Sequence, residues 1–345
     1  MFWTGHQPRS GVITDARWDR WCWYAQLERV VPLLYMRGLH NDGLLSVTQQ
    51  HALRAMQGDA MVWAVRVEHQ MLEAIKTLSD AGVQAVVLKG MATAHLDYPD
   101  SSWRQVGDAD LLVDAADFVP ALSALEAEGW RQEYELPRGH LRFTHAVTLI
   151  RNSVELDLHQ RIAHRAIGLL IPTSELFAAR VGYEVAGREL FALSATDRLI
   201  HAAIHAQLSS GATKRLSSVA DVLVLADGLQ GDAVEVLKQA RQWSVANIVQ
   251  KAVHSAYEAS ALEVPEGWRA SGDRSDVATT PWVERVHLKE NPTPWKREFA
   301  YLCLMHSWFD RGRYVLGHVG GPEGTTGLRG WSTRLAYLWR KVRNA

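Results

Sequence analysis

Cysteine is almost missing from this chain of 345 residues: Cys22 and Cys303 stand far apart, without CxxC or Cys/His spacing. That excludes a disulfide framework and a thiolate zinc centre, and it fits a reduced, cytoplasmic setting. Net charge is almost missing too. Lys+Arg 37 against Asp+Glu 38 leaves a formal charge of -1, so nothing draws the whole molecule to nucleic acid or membrane, and any electrostatic partner must be read locally. No segment has the ~18 uninterrupted apolar residues of a membrane span, and the start MFWTGHQPRSG lacks the basic residues and apolar run of a signal peptide. No internal repeat is present. What remains is ordinary for a globular protein, with 47% hydrophobic and 22% charged residues, enough for one large or two medium domains. Tryptophan is the exception. There are 14, with Trp3, Trp18, Trp21 and Trp23 crowded at the start. Packing explains them best, with base or sugar stacking and a dimer contact as other uses of an indole surface.

Hydrophobic spacing divides the chain. Residues 1–80 read as an N-terminal helical segment, with helical periods over Asp15–Leu39 and Met61–Leu78. Residues 81–172 are mixed. A short valine-rich strand, Val83–Leu88, ends at Lys89-Gly90; a helix (MATAHLDY) follows and stops at Pro99. A polar loop then leads to a second strand, DADLLV, and a helix over Asp114–Glu128. Alternating stretches at Trp130–Tyr134, Leu141–Ile150 and Val154–His159 predict further strands. Residues 173–310 read as a helical domain, with helical spacing in nearly every segment from Thr173 to Leu262; Ser194 and Asp197 open one helix. A long connection, Val264–Pro294, precedes an apolar helix over Trp295–Phe309. The tail, 311–345, carries seven Arg/Lys against one Glu and joins a Gly-rich linker (Gly320–Gly327) to a basic helix. Its face suits solvent first, and an anionic membrane surface or polyanion second.

Strand alternation places Asp108 and Asp110 on one side of a strand, and Glu155, Asp157 and His159 on one side of another. If the strands are neighbours, Asp108, Asp110 and Asp157 surround a hard divalent cation, since Mg²⁺ takes carboxylate oxygens together with water and phosphate. A DxD alone is common on solvated strand ends. The order of features says more: apolar strand, Gly turn, helix, Arg-bearing loop, DxD strand, third carboxylate.

The stretch LKGMATAHLDYPDSSWRQVGDADLLV, followed at residues 154–159 by VELDLH, resembles the uncharacterised nucleotidyltransferase family, related to DNA polymerase β and the aminoglycoside nucleotidyltransferases. The flanks LERVVPLLYMRGL and LSATDRLIHAAIHAQ…RLSSVADVLVLA share the likeness, so it covers about residues 15–230. It implies an α+β fold, a nucleotidyltransferase-type mixed sheet with N-terminal helices and a C-terminal helical domain, with residues 81–172 as catalytic core. It implies a cytoplasmic, Mg²⁺- or Mn²⁺-dependent transferase that binds an NTP such as ATP. Asp108, Asp110 and Asp157 match the metal-holding, catalytic acids, and Lys89 and Gly90 fall where the superfamily has its turn near the triphosphate; by their own places Arg104 and His159 are further nucleotide contacts, His159 also suiting the acceptor or a merely solvated strand face. Met91 departs from the small hydroxyl residue expected after the turn, and the 18-residue step from Gly90 to Asp108 is longer than in simple members, which shifts phosphate contact toward Lys89 or Arg104. Arg104 also suits pairing with a nearby carboxylate. His201 and His205, at i and i+4, lack the glutamate of a zinc motif and read as packing; Lys214 and Arg215 are further triphosphate candidates. The acceptor, whether small molecule, peptide, protein or RNA, is not specified, nor is the oligomeric state. Two other readings compete: a DxD glycosyltransferase using a nucleotide sugar, and a non-catalytic nucleotide-binding module.

Overall fold

The computed structural model describes residues 13–38, 45–134, 136, 141–208, 215–269, 282–288, 294–305, 307–312 and 314. Trp3, Lys214, the Gly320–Gly327 linker and the basic C-terminal helix lie outside the described residues. Three helices come first: α1 (Asp15–Leu27), α2 (Val31–Met36) and the 34-residue α3 (Val47–Asp80). A capping box starts α3, in which the Gln49 N–H donates to Ser46 Oγ and the Ser46 N–H to Gln49 Oε1. Then follow β1 (Val86–Val87), α4 (Lys89–Leu96), β2 (Ala109–Leu112), α5 (Phe118–Ala127), β3 (Arg131–Gln132), β4 (Ala146–Arg151) and β5 (Val154–His159). Helix α5 begins four residues later than its hydrophobic pattern suggests, because the Asp114 carboxylate takes the Ala116 N–H and makes a turn of the preceding residues.

Beyond β5 lie α6 (Arg165–Leu170), α7 (Thr173–Ala178), β6 (Val181–Val185), β7 (Arg188–Ala192), α8 (Ala195–Leu208), α9 (Leu216–Gly228), α10 (Ala233–Gln242) and α11 (Ala246–Ala259). Here the structure corrects the helical reading of Thr173–Leu262. Residues 181–192 form a hairpin whose turn, Ala186 and Gly187, has φ of 49° and 74°, the left-handed pair of a tight two-residue connection. In its strands only Val185, Leu190 and Ala192 are buried, so its hydrophobic pattern is weak. The connection after Val264 carries short helices α12 (Glu266–Arg269) and α13 (Trp282–Leu288), and α14 (Pro294–Leu304) ends before Phe309.

The seven strands form one mixed sheet in the order β3-β4-β5-β2-β1-β7-β6, parallel at β5/β2 and β1/β7 and antiparallel elsewhere. The fold is α+β, as expected. Each sheet face meets a different core. Ala109, Leu111, Leu156 and Leu158 turn toward α3 and α5, packing with Met71, Leu78, Phe118 and Trp130. Val86, Leu88 and Leu112 turn the other way and join the core of α8, α9 and α11, where Trp268 is buried and its Nε1 donates to the Ala226 carbonyl. Burying apolar area on both faces is the main stabilising term. The tryptophans at the start divide: Trp18 is buried and stacked on Trp21 at 5.1 Å, while Trp23 is 57% exposed. No described helix is long and apolar enough to cross a membrane.

Candidate active site

Residues of strand period two that leave the α3 face point toward the helical cover, and the polar ones among them floor a cavity of about 740 Å³. Parallel β2 and β5 stand in a register that sets Asp110 beside Asp157, with Leu112 beside His159. Ligand atoms of Asp110, Asp157 and His159 all lie within 4.8 Å of one another, the group among the described residues able to hold a metal ion.

The three sequence-selected aspartates are held differently. Asp110 is buried; Lys89 Nζ donates to its Oδ1 at 2.5 Å, and His159 Nε2 meets the same oxygen at 2.9 Å. Burial alone would raise its carboxyl, but the Lys89 ammonium and His159 hold it well below the usual carboxylate range. For Lys89, burial works toward the neutral amine and Asp110 outweighs it, so the ammonium persists. Asp157 accepts from Thr148 Oγ1 at 2.6 Å, across the antiparallel β4/β5 pair. Asp108 lies one residue before β2, outside the close group, where Arg29 Nη1 donates to its Oδ1 at 3.1 Å. Partial burial and the neighbouring acids Asp108, Glu133 and Asp157 also raise the carboxyl of Glu155.

The remaining sequence candidates fall around the same cavity. Lys89 begins α4 with φ 47°, a left-handed conformation that turns the chain sharply from β1 into the helix. Gly90 lies under the Arg104 guanidinium: a Cβ there would sit 3.4 Å from Nη2. Arg104 is buried, and its Nε and Nη2 grip the two oxygens of Asp221 in α9 at 2.7 and 2.8 Å, while Tyr98 Oη donates to Asp221 at 3.0 Å. Of its two sequence readings, the structure thus displays the carboxylate pair, at the cavity wall. His159 is buried rather than solvated, and its Nδ1 has no hydrogen-bond partner. His201 and His205 both line the cavity. His201 is buried and pushed well below its ordinary range by burial and nearby Lys89, so it stays neutral. His145, beside His164 and His159, is pushed down to about 2 by burial and those neighbours. Arg215 is exposed at the start of α9, on the cavity rim.

Arg29, Thr148, Tyr98 and Asp221 escaped selection from the sequence. Thr148 had a signal, since it faces its neighbours two apart on an alternating strand. Arg29 and Asp221 had none, because each sits in an amphipathic helical pattern and meets its partner only through tertiary packing.

Carboxylates gathered on neighbouring strands beneath a helical cover, beside a Lys-Gly turn, make a cavity floor able to hold a divalent cation. The chain belongs to the uncharacterised nucleotidyltransferase family, whose model matches residues 14–259, and its activity class is nucleotidyl transfer. Solved structures similar to it include the antibiotic-resistance factor ANT(2'')-Ia in solution, at 14% identity and a TM-score of 0.38 over 57% of this chain and 95% of that one. Another is a crystal structure of an antigenic nucleotidyltransferase-like protein from Paracoccidioides brasiliensis, at 14% identity and a TM-score of 0.34 over 61% of this chain and 92% of that one. No curated protein matches the sequence.

Proposed function

We propose that the protein is a Mg²⁺- or Mn²⁺-dependent nucleotidyltransferase that moves a nucleoside monophosphate from an NTP to an acceptor group. The observation that carries this reading is the in-register pairing of Asp110 with Asp157, which with His159 gathers ligand atoms within 4.8 Å on the cavity floor. The donor set fits the ion. Two carboxylates suit a hard divalent cation, and the unpartnered Nδ1 of buried His159 marks a polar floor built for something more than packing.

In this reading Asp110 and Asp157 are the central metal holders and Asp108 completes the set from the rim. A divalent cation bound there polarises the attacking group and neutralises charge on the departing pyrophosphate. Thr148 orients Asp157, and His159 orients Asp110. Lys89, at the head of α4, carries the positive charge closest to the acids and serves the triphosphate. Gly90 leaves the chain bare beneath Arg104, and both line the phosphate side. The acceptor is a small molecule, peptide, protein or RNA. Two free cysteines, Cys22 and Cys303, support a reducing cytoplasmic setting.

The test is transfer of label from each α-labelled NTP, with Mg²⁺ or Mn²⁺, into small-molecule, RNA and protein fractions of a cell extract. We expect a labelled acceptor with the native chain, and about 10³-fold less label with Asp110→Asn, since a metal's charge stabilisation is worth several kcal/mol. Equal labelling by the two proteins refutes the mechanism.

A further inference from the structure

Arg29 lies in the cavity wall beside Asp108, yet it comes from the N-terminal helices rather than the core. It is the second residue past the end of α1, with φ 55°. Its N–H donates to the Gln26 carbonyl at 3.1 Å, and the Val30 N–H donates to that of Ala25 at 3.0 Å, the paired bonds of a helix-ending turn in which glycine is the usual residue. Ser244 and Ala261 occupy like turns, so the conformation alone assigns nothing to Arg29. The placement of its guanidinium does. It lies against Gly107, where a Cβ would fall 2.3 Å from Cζ, so only glycine at 107 lets it reach Asp108. The turn is also tied to the helical cover, because the Leu216 N–H donates to Glu28 Oε2 at 2.7 Å and the Ser217 N–H to the Glu28 carbonyl at 3.2 Å. Three parts of the molecule therefore meet at Arg29: N-terminal turn, α9 and the acid before β2.

The Arg29 and Asp108 side chains are 29% and 33% exposed, so their bond is open to exchange at the cavity mouth. Arg29 Nη1 reaches only Oδ1 of Asp108, and a cation taken up by that carboxylate draws off the negative charge that holds the guanidinium there. Released from Asp108, a guanidinium on this rim presents a fork of donors suited to phosphate oxygens. Resting on the nucleotidyl-transfer reading, we propose that Arg29 is a nucleotide-phosphate-binding residue that exchanges partners: it holds Asp108 in the empty cleft and passes to the triphosphate when a divalent cation takes that acid. Lys89 stands in the same relation to Asp110, deeper in the cavity.

Exchange predicts effects of opposite sign, which a merely structural cap does not. Titration calorimetry of the full chain would measure Mn²⁺ alone, then Mn²⁺ with the α,β-methylene analogues of ATP, GTP, CTP and UTP. For Arg29→Gln we expect Mn²⁺ alone to bind about threefold more tightly, and the Mn²⁺–analogue complex about tenfold more weakly. Gly107→Ala, which displaces the guanidinium while leaving the α1 turn intact, should shift each constant in the direction Arg29→Gln does, Mn²⁺ alone tighter and the Mn²⁺–analogue complex weaker, and Arg29→Lys should recover part of the nucleotide affinity. Melting curves confirm that each variant is folded. If both constants are unchanged in Arg29→Gln and Gly107→Ala, or both weaken, the exchange is overturned while the nucleotidyl reading stands. If the native chain binds Mn²⁺ but none of the analogues, that reading falls and takes the exchange with it.

Discussion

At the scale of single residues, the chemistry depends on how like charges are kept charged in a confined space. Asp110 is buried and still anionic because Lys89 and His159 share its Oδ1; the cost of desolvating the pair is met by short, direct contacts. The histidines of the cavity show the opposite result, since burial and the charge of Lys89 outweigh the pull of Asp110 on His201, which remains neutral. Its folded-state value lies well below the unfolded one of about 6.5, so the unfolded chain binds more protons as pH falls. Stability from this residue is therefore complete above about pH 6.5 and declines below it, at up to about 1.4 kcal/mol per pH unit. His145, pushed down to about 2, adds a decline over the same range. Asp110 acts elsewhere: its contribution is present above the unfolded carboxylate value near 3.9 and is lost only at more acid pH. Urea titrations in EDTA between pH 7.5 and 5.5 check the point. The stability of His201→Gln should fall less steeply with acidification than that of the native chain, and parallel slopes would contradict the assignment.

At the scale of elements, two tight hairpins set the strands that carry or support the site. Asn152 and Ser153 join β4 to β5 with φ of 51° and 66°, and Ala186 and Gly187 join β6 to β7 in the same left-handed pair. Asn-Gly is the favoured sequence for such a turn, and each hairpin has half of it. Ser153→Gly and Ala186→Asn should each stabilise the protein by about 0.5–1 kcal/mol, read as a raised urea midpoint with unchanged slope. The opposite holds at Gly168 in α6, where a Cβ would fall 2.1 Å from the Ala163 carbonyl oxygen. Backbone cannot swing aside as a side chain does, so Gly168→Ala should destabilise by about 1–3 kcal/mol in the same assay.

At the scale of the whole molecule, two buried ion pairs join the core to the helical cover. Arg104 grips Asp221 of α9 through two hydrogen bonds, and Arg198 of α8 grips Asp97 through two more, at 2.9 and 2.8 Å. Burial raises the Asp97 carboxyl and Arg198 lowers it, and the net direction is upward. Removing one partner strands a buried charge. Asp221→Ala should cost about 3–5 kcal/mol, whereas Arg104→Met combined with Asp221→Leu should cost markedly less, because no charge is then left uncompensated. A double-mutant cycle by chemical denaturation measures the difference. Tyr98 also donates to Asp221, so three hydrogen bonds tie α9 to the core at the cavity wall.

Local pattern alone carried much of this protein. The succession of helices and strands in the first half followed from hydrophobic spacing, and the sides on which Asp110 and Asp157 lie followed from strand alternation, because side chains two apart share a side whatever the strand packs against; that the two strands are neighbours came from the fold. Lys89-Gly90 followed from a charge ending an apolar strand. The β6/β7 hairpin did not, since its short half-buried strands lie among helical segments and a two-residue turn leaves little signal. Nor did the separation of Asp108 from Asp110: alternation puts both on one side, but Arg29 draws Asp108 to the rim while Lys89 and His159 hold Asp110 inside. Arg104 likewise met Asp221 across 117 positions of sequence. A residue's side of a strand is set by covalent geometry and is written in neighbouring letters. Its charge partner is set by which distant segments share a buried space, and that exists only once the chain has folded.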